Sequence, residues 1–188
     1  MPKPKHIYLA GPDVFLPDAN EILLLKKQIC KKYGFVGISP LDNTLPYLDN
    51  ISKIQNGYLI ANHNETIIKT CNILVANITP FRGPNMDPGT AYEIGFARGL
   101  KKPTFAYTSN PLTLFERTKL FYGVTNNLDP NNILIEDFDS SENVMISNAV
   151  YSSNLFTVAR GSFKGPTIAA IDAFEACISI LSNRRFSY

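Results

Sequence analysis

The stretch from Cys71 to Leu100, CNILVANITPFRGPNMDPGTAYEIGFARGL, constrains the fold more than any other. It opens on an apolar, β-branched run from Ile73 to Ile78, closed by a turn signal, which predicts a buried strand. A polar loop rich in Pro and Gly follows. Asp87-Pro88-Gly89-Thr90 then precedes an apolar-periodic segment. Asp is a preferred helix N-cap, and Pro is over-represented at the first helical position. Strand, long loop and helix therefore succeed one another, and two carboxylates, Asp87 and Glu93, sit at the loop–helix junction.

The same alternation runs along the chain. His6 to Ala10 reads as a first strand, broken by Gly11-Pro12-Asp13, with Phe15 in the loop. A helix is predicted from Pro17 to Tyr33. It turns Ile22, Leu23, Leu25, Ile29 and Cys30 inward and Lys26, Lys27, Lys31 and Lys32 outward, with Gly34 as C-cap. Phe35 to Ser39 is a second strand, ended by Pro40-Leu41-Asp42-Asn43. Gly57 to Thr70 is predicted helical, bringing in Leu59, Ile60, Ile67 and Ile68. Thr104 to Tyr107 makes a fourth strand and Ile133 to Ile135 a short fifth. Further helices are expected over Pro111–Tyr122, Glu142–Tyr151 and Thr167–Asn183. The 188 residues fit one domain, without repeat or linker. Alternating strands and helices imply right-handed βαβ units and a parallel sheet. Such sheets bind ligands outside the carboxyl ends of their strands, where the strand order switches. In the order 2-1-3-4-5 that point lies between the first and third strands. The loops there are GPDVF and TPFRGPNMDPGT.

Charged residues make up 18% of the chain and the formal net charge is +2, with no basic run to form a nucleic-acid groove. No segment is long enough to span a bilayer, and MPKPKHIYLAGP is too short in apolar length for a signal peptide. Three cysteines, Cys30, Cys71 and Cys177, show no pairing or metal-type spacing. An odd count fits a reducing cytosol, and a cytoplasmic location is expected. The Asn-x-Ser/Thr triplets at Asn50, Asn64 and Asn77 then read as chance matches. His6 and His63 are isolated, so no metal is expected. Without a phosphate-binding loop or a strand-linked GxGxxG, neither a nucleoside triphosphate nor a dinucleotide is indicated. The GPD loop brings an acid and no Ser, Lys or Arg. It suits a neutral ligand with hydroxyls, leaving Arg82 and Arg117 as the residues that could hold a phosphate.

Each candidate residue has two readings. Glu93 is either a plain helix residue, solvated or partnered with Arg98, or a carboxylate kept ionised by the positive helix end, hence a nucleophile. Asp87 is either the helix N-cap or a second acid/base. Six residues correspond to about 600° of helical rotation, so the two carboxylates share a ligand only if the pocket wraps the helix N-terminus. Gly83 and Gly89 would permit a close backbone approach there. Tyr8 is either a core aromatic or a phenol orienting Glu93. Phe15 is either a loop anchor or a stacking ring.

YLAGPDVF, PLDN and DPGTAYEIGFARG, in that order and spacing, resemble the nucleoside 2-deoxyribosyltransferases over about the first two-thirds of the chain. The resemblance implies a flavodoxin-like domain with a five-stranded parallel sheet of order 2-1-3-4-5. It implies transfer of 2-deoxyribose from one nucleobase to another, with retention, through a covalent sugar–enzyme intermediate and without a cofactor. By the same resemblance Glu93 is the nucleophile, Tyr8 positions it, and Asp87 handles the proton of the base. Gly11, Phe15, Asn43, Thr44, Asn64 and Gly89 fall around the substrate. Asn143 resembles an Asn supplied by a neighbouring subunit, which implies a homo-oligomer, a dimer or a trimer of dimers. The expected partners are a deoxynucleoside and a free nucleobase. Asn64 and Thr44 stand where family members can carry Asp and Gln, so base preference is open. A hydrolase of deoxynucleosides or their 5′-monophosphates, and a non-catalytic nucleoside-binding module, remain alternatives, since fold alone does not decide among them. Retaining glycosidases hold their carboxyl pair about 5–5.5 Å apart. A similar Glu93–Asp87 spacing is expected.

Overall fold

The computed structural model describes residues 3–42, 47–151, 158–160 and 168–183. Strands and helices alternate as β1 (Lys5–Ala10), α1 (Ala19–Lys32), β2 (Phe35–Ile38), α2 (Lys53–Thr70), β3 (Ile73–Asn77), α3 (Pro88–Gly99) and β4 (Thr104–Thr108). Then come α4 (Leu114–Tyr122), α5 (Val144–Tyr151), the three-residue β5 (Val158–Arg160) and α6 (Ile171–Ser182). A single 3-10 turn, Pro12–Phe15, follows β1.

Four strands form the body of one parallel sheet in the order β2-β1-β3-β4, with β5 paired beside β4 at the edge. The expected class, a parallel sheet flanked by helices, is what forms. The expected fifth strand at Ile133–Ile135 does not. There Leu134 makes only an isolated antiparallel bridge to Leu128, and both Ile133 and Leu134 are exposed. Three apolar residues in a polar, Asn-rich stretch are too short a run to hold a place in a sheet.

Strand alternation divides the core. Ile7 and Leu9 of β1, Ile73 and Val75 of β3, and Phe105 and Tyr107 of β4 pack under α1 and α6. Tyr8, Ala10, Leu74, Ala76 and Ala106 face α2, α3 and α5 through Ile68, Ile94, Ala97 and Val150. Caps set the helix starts. Ser52 and Gln55 make a reciprocal capping box on α2, and Thr113 and Glu116 make one on α4. Ser52 therefore starts α2 four residues earlier than expected. The first half of α2 stands clear of the sheet, so Leu59 and Ile60 are exposed rather than core. Leu25 of α1 is likewise exposed, and Lys26, expected outside, is fully buried.

Candidate functional site

Asp87 caps α3. Its Oδ2 accepts hydrogen bonds from the Thr90 amide (2.8 Å) and the Thr90 hydroxyl (2.9 Å). Pro88 occupies the first helical position, where a missing N–H costs nothing. A Cβ on Gly89 would lie 3.1 Å from that Oδ2, so glycine gives the carboxylate room to fold back over the helix start. The structural reading of Asp87 is thus satisfied by one oxygen, and the carboxyl group remains beside Glu93, whose titration it affects.

Glu93 lies six residues beyond Asp87, in the second turn of α3. The hydroxyl of Tyr8 donates to its Oε1 at 2.5 Å, from the fully buried middle of β1. The period-2 alternation of β1 produces this contact by turning Tyr8 away from Ile7 and Leu9 and toward α3. Burial pushes the Glu93 carboxyl up to about 7; the Tyr8 hydrogen bond opposes this and the negative charge of Asp87 adds to it. The expectation of a carboxylate held firmly ionised by the helix end is corrected here. The helix-end field falls off within the first turn, and Glu93 is the sixth residue of α3. Tyr8 itself is raised far above the usual phenol range, first by burial and then by Glu93, so it stays a donor.

A cleft of about 140 Å³ opens beside this pair between α2 and α3. Glu93, Gly89 and Tyr92 line one side, and Ala61, Asn64, Glu65 and Ile68 the other. Asn64 lines the cleft, and its Oδ1 is buried without a hydrogen-bond partner. Tyr92 donates to Glu65 across the rim.

The remaining candidates are distributed around this centre. Gly11 is needed for close approach: a Cβ there would come within 2.7 Å of both Asn77 Cβ and Asp13 Oδ2. Phe15 is 57% exposed and stacks on Phe81, centroids 5.4 Å apart, with the Arg82 guanidinium over both rings. The first and third loops therefore meet through an aromatic pair, and Phe81 was missed because nothing in the local sequence marks a partner 66 residues away; Arg82, considered only for a phosphate, lies over both rings. Asn143 is exposed and outside the cleft of its own chain, where its amide donates to Glu136 at 2.9 Å. Asn43 and Thr44 lie outside the described residues. Of the two arginines considered for a phosphate, Arg117 is not available. It is buried and bonded to Glu142 and to the carbonyls of Pro84 and Ser141. Among the described residues no cluster of His, Cys, Asp and Glu is arranged to hold a metal, and no helix is long and apolar enough to cross a membrane.

Comparison with known proteins bears on the fold and the family. A 2-deoxyribosyltransferase from Leishmania mexicana superposes with a TM-score of 0.65 at 28% identity, over 92% of this chain and 98% of that one. A conserved protein from Enterococcus faecalis shares the fold, with a TM-score of 0.52 at 18% identity over 94% and 98% of the two chains. An uncharacterized protein of Schizosaccharomyces pombe is 33% identical over 105 residues, 55% of this chain and half the length of that relative. The sequence model for nucleoside 2-deoxyribosyltransferase matches residues 7–145, which span both loops, Tyr8, Asp87 and Glu93. The chain belongs to the nucleoside 2-deoxyribosyltransferase family.

Proposed function

We propose that the protein transfers 2-deoxyribose between nucleobases with retention, through a glycosyl ester on Glu93. The observation that carries this reading is the Tyr8–Glu93 pair at the edge of an open cleft. A carboxyl near 7 supplies a carboxylate and an acid in similar amounts at neutral pH, and the phenol fixes which oxygen is tied and which is presented. In the first half-reaction the free oxygen of Glu93 bonds to C1′ of the deoxynucleoside. The C1′–N bond breaks, its electron pair stays on the leaving base, and Asp87 or water protonates that nitrogen. In the second, a nitrogen of the acceptor base bonds to C1′, Glu93 leaves as carboxylate, and the nitrogen loses its proton. Two inversions give net retention.

The walls suit this chemistry. Ala61 and Ile68 offer no donor to a 2′-hydroxyl, which favours the deoxysugar over ribose. The open acceptor of Asn64 suits an N–H of the base. Phe15, exposed and paired with Phe81 where the first and third loops meet, supplies a stacking surface for the base. Asn143, exposed and outside the lining of its own chain's cleft, fits a role in a neighbouring copy, and a homo-oligomer follows from that reading. The test is a time course with deoxyinosine and adenine. Deoxyadenosine appearing before free deoxyribose supports transfer. Deoxyribose alone indicates hydrolysis, and no turnover with retained nucleoside binding indicates a binding module.

A further inference from the structure

Behind the loop that carries Phe15, on the sheet face away from Glu93, four polar side chains meet in an otherwise apolar core. Lys26 of α1 is fully buried and donates to Asp13 Oδ1 and to the Tyr107 hydroxyl, each at 2.7 Å. Asn77, at the end of β3, donates to Asp13 Oδ2 at 3.2 Å and to the Ile168 carbonyl at 2.6 Å. Its own Oδ1 receives the Thr79 amide at 3.1 Å. The ammonium group lies 5.0 Å and 5.4 Å from the ring centroids of Tyr107 and Phe174. Burial pulls Lys26 down and Asp13 pulls it back up. A buried ion pair of this kind is commonly no more stabilising than an apolar pair of equal volume. It fixes direction, however, because Lys26 and Asn77 each bridge two acceptors, one of them Asp13.

The direction is that of the first loop. Asp13 is the second residue of the 3-10 turn, Gly11 leaves no room for a side chain between it and Asn77, and Phe15 follows within the same turn. Asn77 ties that turn to the third loop, which presents Phe81 and Asp87, and to the segment at Ile168. We propose that Lys26, Asp13, Asn77 and Tyr107 form an internal pin whose role is to position Phe15 against Phe81 for stacking on the base. They are positioning residues and do not touch the substrate. The proposal rests on the transferase reading only for its kinetic consequence.

The experiment combines Asp13→Asn with Lys26→Met, which keeps the shape and removes both charges. 4-Fluorophenylalanine at position 15 gives one sharp fluorine NMR line in the parent. In the double variant that line is expected to shift and broaden, and KM for the deoxynucleoside to rise tenfold or more, with kcat per folded site changed less than threefold. In a Phe15→Ala background the same two substitutions are expected to add nothing to KM, which a general loss of stability would not reproduce. An unchanged fluorine line in the folded double variant overturns the pin whether or not the parent turns over. If the double variant does not fold, an unchanged KM in Phe15→Ala alone overturns it. A parent that binds and converts no deoxynucleoside counts against the transferase reading, while the fluorine line still decides the pin.

Discussion

Glu93 and Glu142 are both carboxylates taken out of water, and the protein compensates them on different terms. Glu142 faces the Arg117 guanidinium and receives the amides of Met86 (3.0 Å) and Asn143 (3.2 Å). Burial still raises it, against the pull of Arg117 and the two amides. Its oxygens are spent tying the third loop, α4 and the start of α5 into one piece. Glu93 has a neutral phenol as its partner, a second carboxylate nearby and a cleft in front. A carboxylate with both oxygens engaged is a fastening. One engaged on a single oxygen, beside open space, is free to bond to something else.

The comparison breaks first at Arg117. Replacing it by Met leaves Glu142 buried without its counter-charge and is expected to destabilise the fold by about 3–5 kcal/mol. Chemical denaturation checks this, and unchanged stability would mean that Glu142 is no fastening at all.

Glu93→Gln sharpens it in the opposite sense. The Glu93 carboxyl is raised from 4.5 to about 7, so the folded state binds more protons than the unfolded state between those values. Stability from this group is therefore present below about pH 4.5 and is lost as pH rises toward 7. At 1.36 kcal/mol per pH unit, the glutamine variant is expected to be more stable than the parent by up to about 3 kcal/mol at pH 8, with little difference at pH 4.5. Paired denaturation curves at the two pH values read this directly, and a variant that is less stable at pH 8 contradicts it.

The smallest effect is at Tyr8. Removing its hydroxyl with Tyr8→Phe takes away the bond that holds Glu93 down, so the rising limb of the kcat/KM–pH profile is expected to move above 7. At neutral pH kcat/KM should fall by about 10- to 100-fold, the worth of one hydrogen bond to a charged group. A profile that keeps its midpoint would separate Tyr8 from Glu93.

Local rules carried much of this molecule. The Asp-Pro start of α3 and the alternation of Ile7, Tyr8 and Leu9 led from sequence to the two residues that meet across the sheet–helix interface. The apolar run of β3 placed the loop after it at the switch point. What sequence did not carry was long-range. Lys26 was placed outside on a sound amphipathic pattern, because a helical wheel does not register an aspartate arriving from the preceding turn. Phe81 and Arg82 gained meaning only when the two loops closed on each other. The protonation of Glu93 followed from how much wall surrounds it, which its distance from the helix end does not report. Ile133, Leu134 and the exposed half of α2 share one lesson: apolarity predicts burial only where another element arrives to cover it.

The account turns on a covalent bond between Glu93 and a sugar carbon. Incubation with a 2-fluoro-2-deoxynucleoside slows release of the sugar, and denaturing mass spectrometry of the digested protein then reads the bond. The predicted result is a fluorodeoxyribosyl mass on the peptide containing Glu93, discharged by added acceptor base and absent from Glu93→Gln. A protein that turns over deoxynucleosides yet carries no adduct on that peptide would contradict it.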